Sequence, residues 1–228
     1  MGITGMIYMV TMVFSLIVLM LSSSAVKFDY FQFTQQYQPA VCNSNPTPCK
    51  DPPDKLFTVH GLWPSNVNGS DPKKCKATIL NPQTITNLKA QLEIIWPNVL
   101  NRRAHVRFWR KQWRKHGACG YPTIADDMHY FSTVIEMYIT KKQNVSEILS
   151  KAKIKPEGRF RTRDDIVNAI SQSIDYKKPK LKCKINNQTT ELVEVGLCSD
   201  NNLTQFINCP NPFPQGSPYF CPTNNIQY

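Results

Sequence analysis

Residues 6–21 form an apolar run, and the first 26 residues (MGITGMIYMVTMVFSLIVLMLSSSAV) carry no charged side chain before closing on the small residues SSSA. This pattern predicts a secretory signal peptide cut near Ala25. A retained membrane anchor is the other reading, but the run is short for a span and no polybasic flank follows. Residues 1–26 are therefore assigned to a leader and residues 27–228 to a single domain. Beyond the leader the apolar pattern breaks into short segments. DYFQFTQQYQPAVC alternates, and DKLFTVHGLWPS is β-rich until Gly61 and Pro64; both predict strands. Asn81-Pro82 reads as the start of a helix whose apolar stripe, Ile85, Leu88, Leu92 and Ile95, runs to Pro97. Further helices are predicted over 106–116, 127–141, 146–153 and 163–173, the last capped by Thr162 with Asp165. KLKCKI alternates strictly, ELVEV is β-branched, and LTQFINC suits a strand. The tail from Cys209 to Cys221, rich in Pro and Gly, predicts irregular structure held by cysteines. Strands early and late with helices between make an α+β domain, its mixed or antiparallel sheet packed against helices.

About 200 residues remain after the leader, enough for one domain with its own core. All eight cysteines lie in that part, and an even count in a secreted chain predicts four disulfides. A zinc site is the competing reading. No Cys-x-x-Cys occurs, and the one close pair, His116 and Cys119, lacks two further ligands at finger spacing, so neither a metal nor another cofactor is expected. Four N-x-S/T sequons, at Asn68, Asn144, Asn187 and Asn202, fit the same compartment.

Charge sharpens the picture. The formal net charge is +11, which points to a polyanionic partner. Between Ile94 and Ala125 there is no acid, while Arg102, Arg103, Arg107, Arg110, Lys111, Arg114 and Lys115 are all present. On a helix, Phe108, Gln112, Lys115 and His116 fall within a roughly 100° arc, with Trp109 and Trp113 at its edge. The tryptophans and the outer cations suit core and solvent; a histidine sharing a face with a lysine and an amide suits chemistry. Cleaving an RNA phosphodiester without a metal needs one group to take the 2′-hydroxyl proton and another to protonate the leaving 5′-oxygen, and imidazoles fit both tasks. A lysine beside them can stabilise charge building on phosphorus. For the second histidine, His105 and His129 read as ordinary surface or core residues. His60 ends a predicted strand, followed by Gly61, which permits close backbone approach, and by Trp63, a flat face for a base.

FTVHGLWPS and FWRKQWRKHGACG together resemble the two active-site segments of the ribonuclease T2 family, HGLWP and F-W-x-x-E-W-x-K-H-G, in order, spacing and cysteine layout. DYFQFTQQYQPAVCN, ELVEVGLCSD and the basic charge resemble the style-expressed self-incompatibility ribonucleases of rose-family plants, apple and pear type. The resemblance implies a secreted endoribonuclease that cuts single-stranded RNA by transphosphorylation to 2′,3′-cyclic phosphates. It makes His60 the proton donor, His116 the acceptor, and Lys115 the transition-state cation, with Gln112 beside them. Gln36, Asn98, Val99, Phe108 and Lys111 fall at RNA-contacting positions. Two positions depart from the pattern: Gln112 stands where Glu is usual, and Lys111 where some members have histidine. The implied disulfides are Cys42–Cys49, Cys75–Cys119, Cys183–Cys221 and Cys198–Cys209. The loop 66–78 (NVNGSDPKKCKAT), opened by Asn66 and closed by Thr78, overlaps the variable region where pollen F-box proteins would discriminate alleles. A monomer in the style matrix, with no membrane attachment after leader removal and with uptake into pollen tubes, completes the expectation. The other readings are an extracellular ribonuclease for phosphate scavenging or defence, and a non-catalytic RNA-binding or storage glycoprotein on the same scaffold.

Overall fold

A computed structural model describes residues 27–44, 46, 48–73, 75 and 77–228. The leader expected over 1–26 lies outside the described residues; among those described, no helix is long and apolar enough to cross a membrane. Strand β1 (Tyr30–Tyr37) runs antiparallel to β2 (Phe57–Ser65) on one edge and to β5 (Thr189–Asp200) on the other. Along the opposite edge of β5 runs β4 (Lys180–Asn186), joined to it through Asn187 and Gln188. Both turn residues have the positive φ, 46° and 66°, that a two-residue hairpin requires. The short β6 (Phe206–Ile207) and β7 (Ile226–Gln227) also pair with β5, the latter in parallel, and β3 (Phe160–Arg161) pairs with β7. The sheet is thus mixed, with seven strands. The strand expected over LTQFINC shrinks to the two residues of β6, and β3 and β7 are additions that their brevity hid from any periodicity.

The alternation of β1 has a different meaning from a half-solvated strand. Every one of its residues is buried. Phe31, Phe33 and Tyr37 enter the hydrophobic core together with Val59 and Leu62 of β2, Leu181 of β4, and Leu192, Val195 and Leu197 of β5. Gln32, Thr34 and Gln36 therefore form a buried polar face on the other side of the sheet. Gln35 is the one polar residue in the core-side row. Its amide donates to the Gln143 carbonyl at 2.6 Å and accepts from Val145 N–H at 3.0 Å, so its burial leaves nothing unsatisfied.

Helix α1 (Gln38–Asn43) follows β1 directly. The helix expected from Asn81 is broken into a 3-10 stretch, Pro82–Leu88, and α2 (Lys89–Ile95), with a kink at Ile85. The reason is local: Thr84 and Thr86 donate their hydroxyls back to the carbonyls of Asn81 and Pro82, competing with regular helix bonds. Then come α3 (His105–Lys115), α4 (Asp127–Ile135) with a wider turn through Thr140, α5 (Val145–Lys151) and α6 (Arg163–Ser171). Thr162 and Asp165 form a reciprocal cap at the start of α6.

The disulfides are Cys42–Cys49, Cys75–Cys119, Cys183–Cys221 and Cys198–Cys209, the same four pairs that the resemblance implies. Cys75–Cys119 spans 44 residues, a closure worth about 4 kcal/mol in the chain-entropy account. It ties the segment after β2 to the turn after α3.

Candidate active site

In β2 the register with β1 slips by one residue: Gln35 faces Val59, Thr34 faces Gly61, and His60 is the extra residue between them. The expectation that His60 ends its strand is corrected accordingly. The strand continues to Ser65 because β2 lies at a sheet edge, where Pro64, which has no N–H to give, breaks no ladder bond. A bulge bends the strand and re-aims the bulged side chain. The His60 carbonyl accepts the indole N–H of Trp96 at 3.0 Å, and the Trp96 carbonyl accepts that of Trp109 at 2.9 Å. This relay fixes α3 against the bulge. Trp109 and Trp113 are core residues, as their position on the helix edge suggested. A Cβ on Gly61 would run into the Trp63 indole and the Gln112 amide, so only glycine fits there.

Between the bulge and α3 lies a cleft of about 940 Å³. It brings together His60, Gln112, Lys115 and His116, and with them Gln36, Trp63, Asn98, Val99, Phe108 and Lys111. The Trp63 ring stacks on the His116 ring, centroids 5.2 Å apart and planes 27° apart, and meets His60 edge-on at 5.1 Å. Trp63 therefore touches both imidazoles, with one face occupied by His116. Phe108 lies nearly parallel to His60 at 6.3 Å. Gln112 is buried, and its Oε1 accepts the Trp63 indole N–H at 3.3 Å. Its geometry is that of a residue that positions Trp63. Asn98 is held by its own loop: its N–H donates to His105 Nδ1 at 3.0 Å and its amide to the Ala104 carbonyl at 3.3 Å. His105 thus anchors the Asn98 turn, and the exposed His129 accepts from Ala125 N–H at 3.2 Å.

The cations of residues 102–115 divide. Arg107, Lys111, Arg114 and Lys115 line the cleft. Arg102 is turned away, bonded to Asp54 at 2.7 Å and to Gln38 at 3.0 Å, and Arg110 reaches the Leu80 carbonyl at 3.4 Å. His116 is 8% exposed. Burial first, then the charges of Lys115 and His60, pull its imidazole down to about 3, so it is uncharged at ordinary pH.

One functional group escaped the sequence reading. Glu194 of β5 accepts from His60 Nδ1 at 3.0 Å and, on its other oxygen, from Lys182 Nζ of β4 at 3.0 Å. Burial alone would raise its carboxyl, but the bond to His60 and the charges of His60 and Lys182 outweigh it and hold the group at about 2. The available signal was an acid inside LVEVGLC, a run buried from Leu192 to Ser199.

Residues 28–209 match the Ribonuclease T2 family. Ribonuclease S-6 of Pyrus pyrifolia is 71% identical over 229 residues, all of both chains, and Ribonuclease 3 of Arabidopsis thaliana is 31% identical, covering 84% of this chain and 87% of that one. Among solved structures, Japanese pear S3-RNase superposes with a TM-score of 0.85 at 63% identity, covering 88% of this chain and all of that one. Ribonuclease MC1 from the seeds of bitter gourd gives 0.74 at 30% identity, covering 87% and 100%. The chain belongs to the ribonuclease T2 family and is an endoribonuclease.

Proposed function

We propose that the cleft cuts single-stranded RNA by transphosphorylation, with His116 as base and His60 as acid. His116 takes the 2′-hydroxyl proton while the 2′-oxygen bonds to phosphorus. The bond from phosphorus to the 5′-oxygen breaks, and the proton of His60 goes to that oxygen, leaving a 2′,3′-cyclic phosphate. Lys115 stabilises the charge on the phosphoryl oxygens. The observation that carries this reading is a pair of imidazoles on one cleft in opposite surroundings: His116 desolvated and uncharged, His60 backed by the buried carboxylate of Glu194. A phosphodiester anion entering the cleft favours the imidazolium form of His116, which strengthens it as a base in the complex. The test is cleavage of a dinucleoside monophosphate in excess chelator, with the product identified by mass. The expected first product is the cyclic phosphate, with any linear phosphate following from its hydrolysis; activity lost with the metal, or a linear phosphate formed with no cyclic phosphate before it, overturns the mechanism.

Similarity to the pear S-RNases supports a role as the style determinant of self-incompatibility. In this reading residues 1–26 are removed, residues 27–228 act as one monomeric domain in the style matrix, and the protein enters pollen tubes and degrades RNA there. Asn68, Asn187 and Asn202 are exposed, while Asn144 is half-buried and caps α5 through Ser146 N–H at 3.0 Å. These four sequons are the candidate glycan acceptors. The loop 66–78 is the proposed surface for pollen F-box proteins; Lys74 and Lys76 within it lie outside the described residues. Val67 is 57% exposed, and Cys75 ties the loop to Cys119 beside the cleft. Exchanging the loop for another allele's should change partner recognition and leave RNA cleavage within severalfold; partner binding that stays the same across such exchanges excludes the loop as the discriminating surface.

A further inference from the structure

The acid-free segment accounts for one wall of the cleft. The opposite wall belongs to β4, whose alternation turns Leu181 and Cys183 into the core and Lys180, Lys182 and Lys184 the other way. Lys182 and Lys184 line the main cleft, while Lys180 and Lys182 line a smaller adjoining pocket of about 240 Å³ that shares His60, Trp63 and Glu194 with it. The three cations therefore extend in a row past His60 in both directions. Successive lysines on one face of a strand stand about 6.7 Å apart, comparable to one nucleotide step of an extended RNA strand.

The ammonium groups are held in place by the irregular tail. Lys180 Nζ lies 4.8 Å from the Phe213 ring centroid, and Lys182 and Lys184 lie 4.8 and 6.0 Å from that of Tyr219. Lys184 also donates to the Ser44 carbonyl at 3.3 Å. The Cys198–Cys209 and Cys183–Cys221 disulfides bracket the segment that supplies both rings. Acids are close but occupied or few. Glu194 is taken by Lys182 and His60; Glu191, opposite Lys184 across the hairpin, accepts from Asn43 at 2.7 Å and Asn186 at 3.4 Å; Asp71 lines both pockets. Among the described residues, neither Lys180 nor Lys184 has a carboxylate within salt-bridge distance.

We propose that Lys180, Lys182 and Lys184 form a phosphate rail that holds the RNA strand on both sides of the cleaved bond, Lys180 gripping one flank and Lys184 the other. The proposal rests on the cleft taking RNA and adds that the protein binds several nucleotides beyond the scissile pair. Lys180 is already pushed below its ordinary value by burial and by Lys182, so a phosphate arriving there relieves an existing repulsion. The packed lysine stems lose little freedom on binding, because the rings beneath them have already restricted it.

Binding of labelled 2′-deoxy oligonucleotides of two to eight residues, measured against salt, tests the rail without any cleavage. Lys182 is left alone because it also holds Glu194. For the eight-residue strand, Lys180→Gln and Lys184→Gln should each reduce the slope of log affinity against log salt by about 0.7, with severalfold weaker binding at low salt. Lys151→Gln, on the distant α5, makes the same charge change and serves as the control. Kinetics on cleavable strands extended by three residues at one end or the other give the direction: each variant should lose the gain in kcat/KM from extension at one end only, and the two variants at opposite ends. Unchanged slopes, equal effects from Lys151→Gln, or loss at the same end for both overturns the rail. Failure of the wild-type protein to cleave any RNA would instead remove the proposed chemistry, and the binding measurements would still decide the rail.

Discussion

Replacing His116 or His60 with Asn should each lower kcat/KM for RNA by at least about 100-fold, because each removes one of the two proton transfers that the reaction needs. Asn keeps a polar side chain of similar reach, and the relay from the His60 carbonyl through Trp96 to Trp109 involves backbone that the change leaves in place. The fold is therefore expected to survive. A substrate whose leaving group needs no proton, uridine 3′-(4-nitrophenyl phosphate), separates the two roles. His60→Asn should recover most of the lost rate on it, and His116→Asn should not. Recovery in the opposite variant means that acid and base are exchanged, and near-normal RNA cleavage by either variant sinks the two-histidine mechanism. The His116 variant carries a second signature. The folded protein holds this imidazole at about 3, against an ordinary 6.5, so the unfolded chain binds more protons between those values. Stability tied to the uncharged ring is present above pH 6.5 and lost as pH falls towards 3. His116→Asn should lose less stability over that window, which acid titration of the unfolding midpoint measures.

The sequence was most legible where chemistry and local pattern coincide. HGLWP and WRKHG each carry their function within a few residues, and α3 keeps its apolar edge in register with its reactive face, so the cleft residues could be grouped before any tertiary contact was known. What remained hidden depends on pairing between distant strands. That His60 is bulged follows from the register of β2 against β1, which neither segment reveals alone. Gln112 sits one turn from His116, but that its amide meets the Trp63 indole, 49 residues away, shows only in the folded chain. The acid-free stretch groups Arg102 with the cations of the cleft, whereas Asp54 and Gln38 claim it from 48 and 64 residues away. In the same way KLKCKI showed its alternation openly, but only the hairpin with β5 places its lysines on the face that carries His60.

Glu194→Gln should reduce kcat/KM for RNA at least about tenfold. The carboxylate accepts from His60 Nδ1, fixing the ring and leaving Nε2 as the nitrogen available to the leaving oxygen. An amide can present either an oxygen or an N–H to Nδ1, so the substitution frees the tautomer as well as removing the charge. Lys182, left without its 3.0 Å partner, then adds an unopposed cation beside the ring. The ring is then no longer held with its proton aimed at the leaving oxygen. The activated nitrophenyl ester should be nearly indifferent to the change, since its leaving group needs no proton. Stability gives an independent check of sign. The folded protein holds Glu194 at about 2, below the ordinary 4.5, so its contribution is fully present above pH 4.5 and is lost as pH falls through 2. That contribution is on the order of 3 kcal/mol, and in the Gln variant the corresponding slope in the acid limb of stability should vanish. If Glu194 were only a structural ion pair, stability would fall while RNA and the activated ester were slowed equally. Equal slowing of the two substrates therefore removes Glu194 from the proton-donating apparatus.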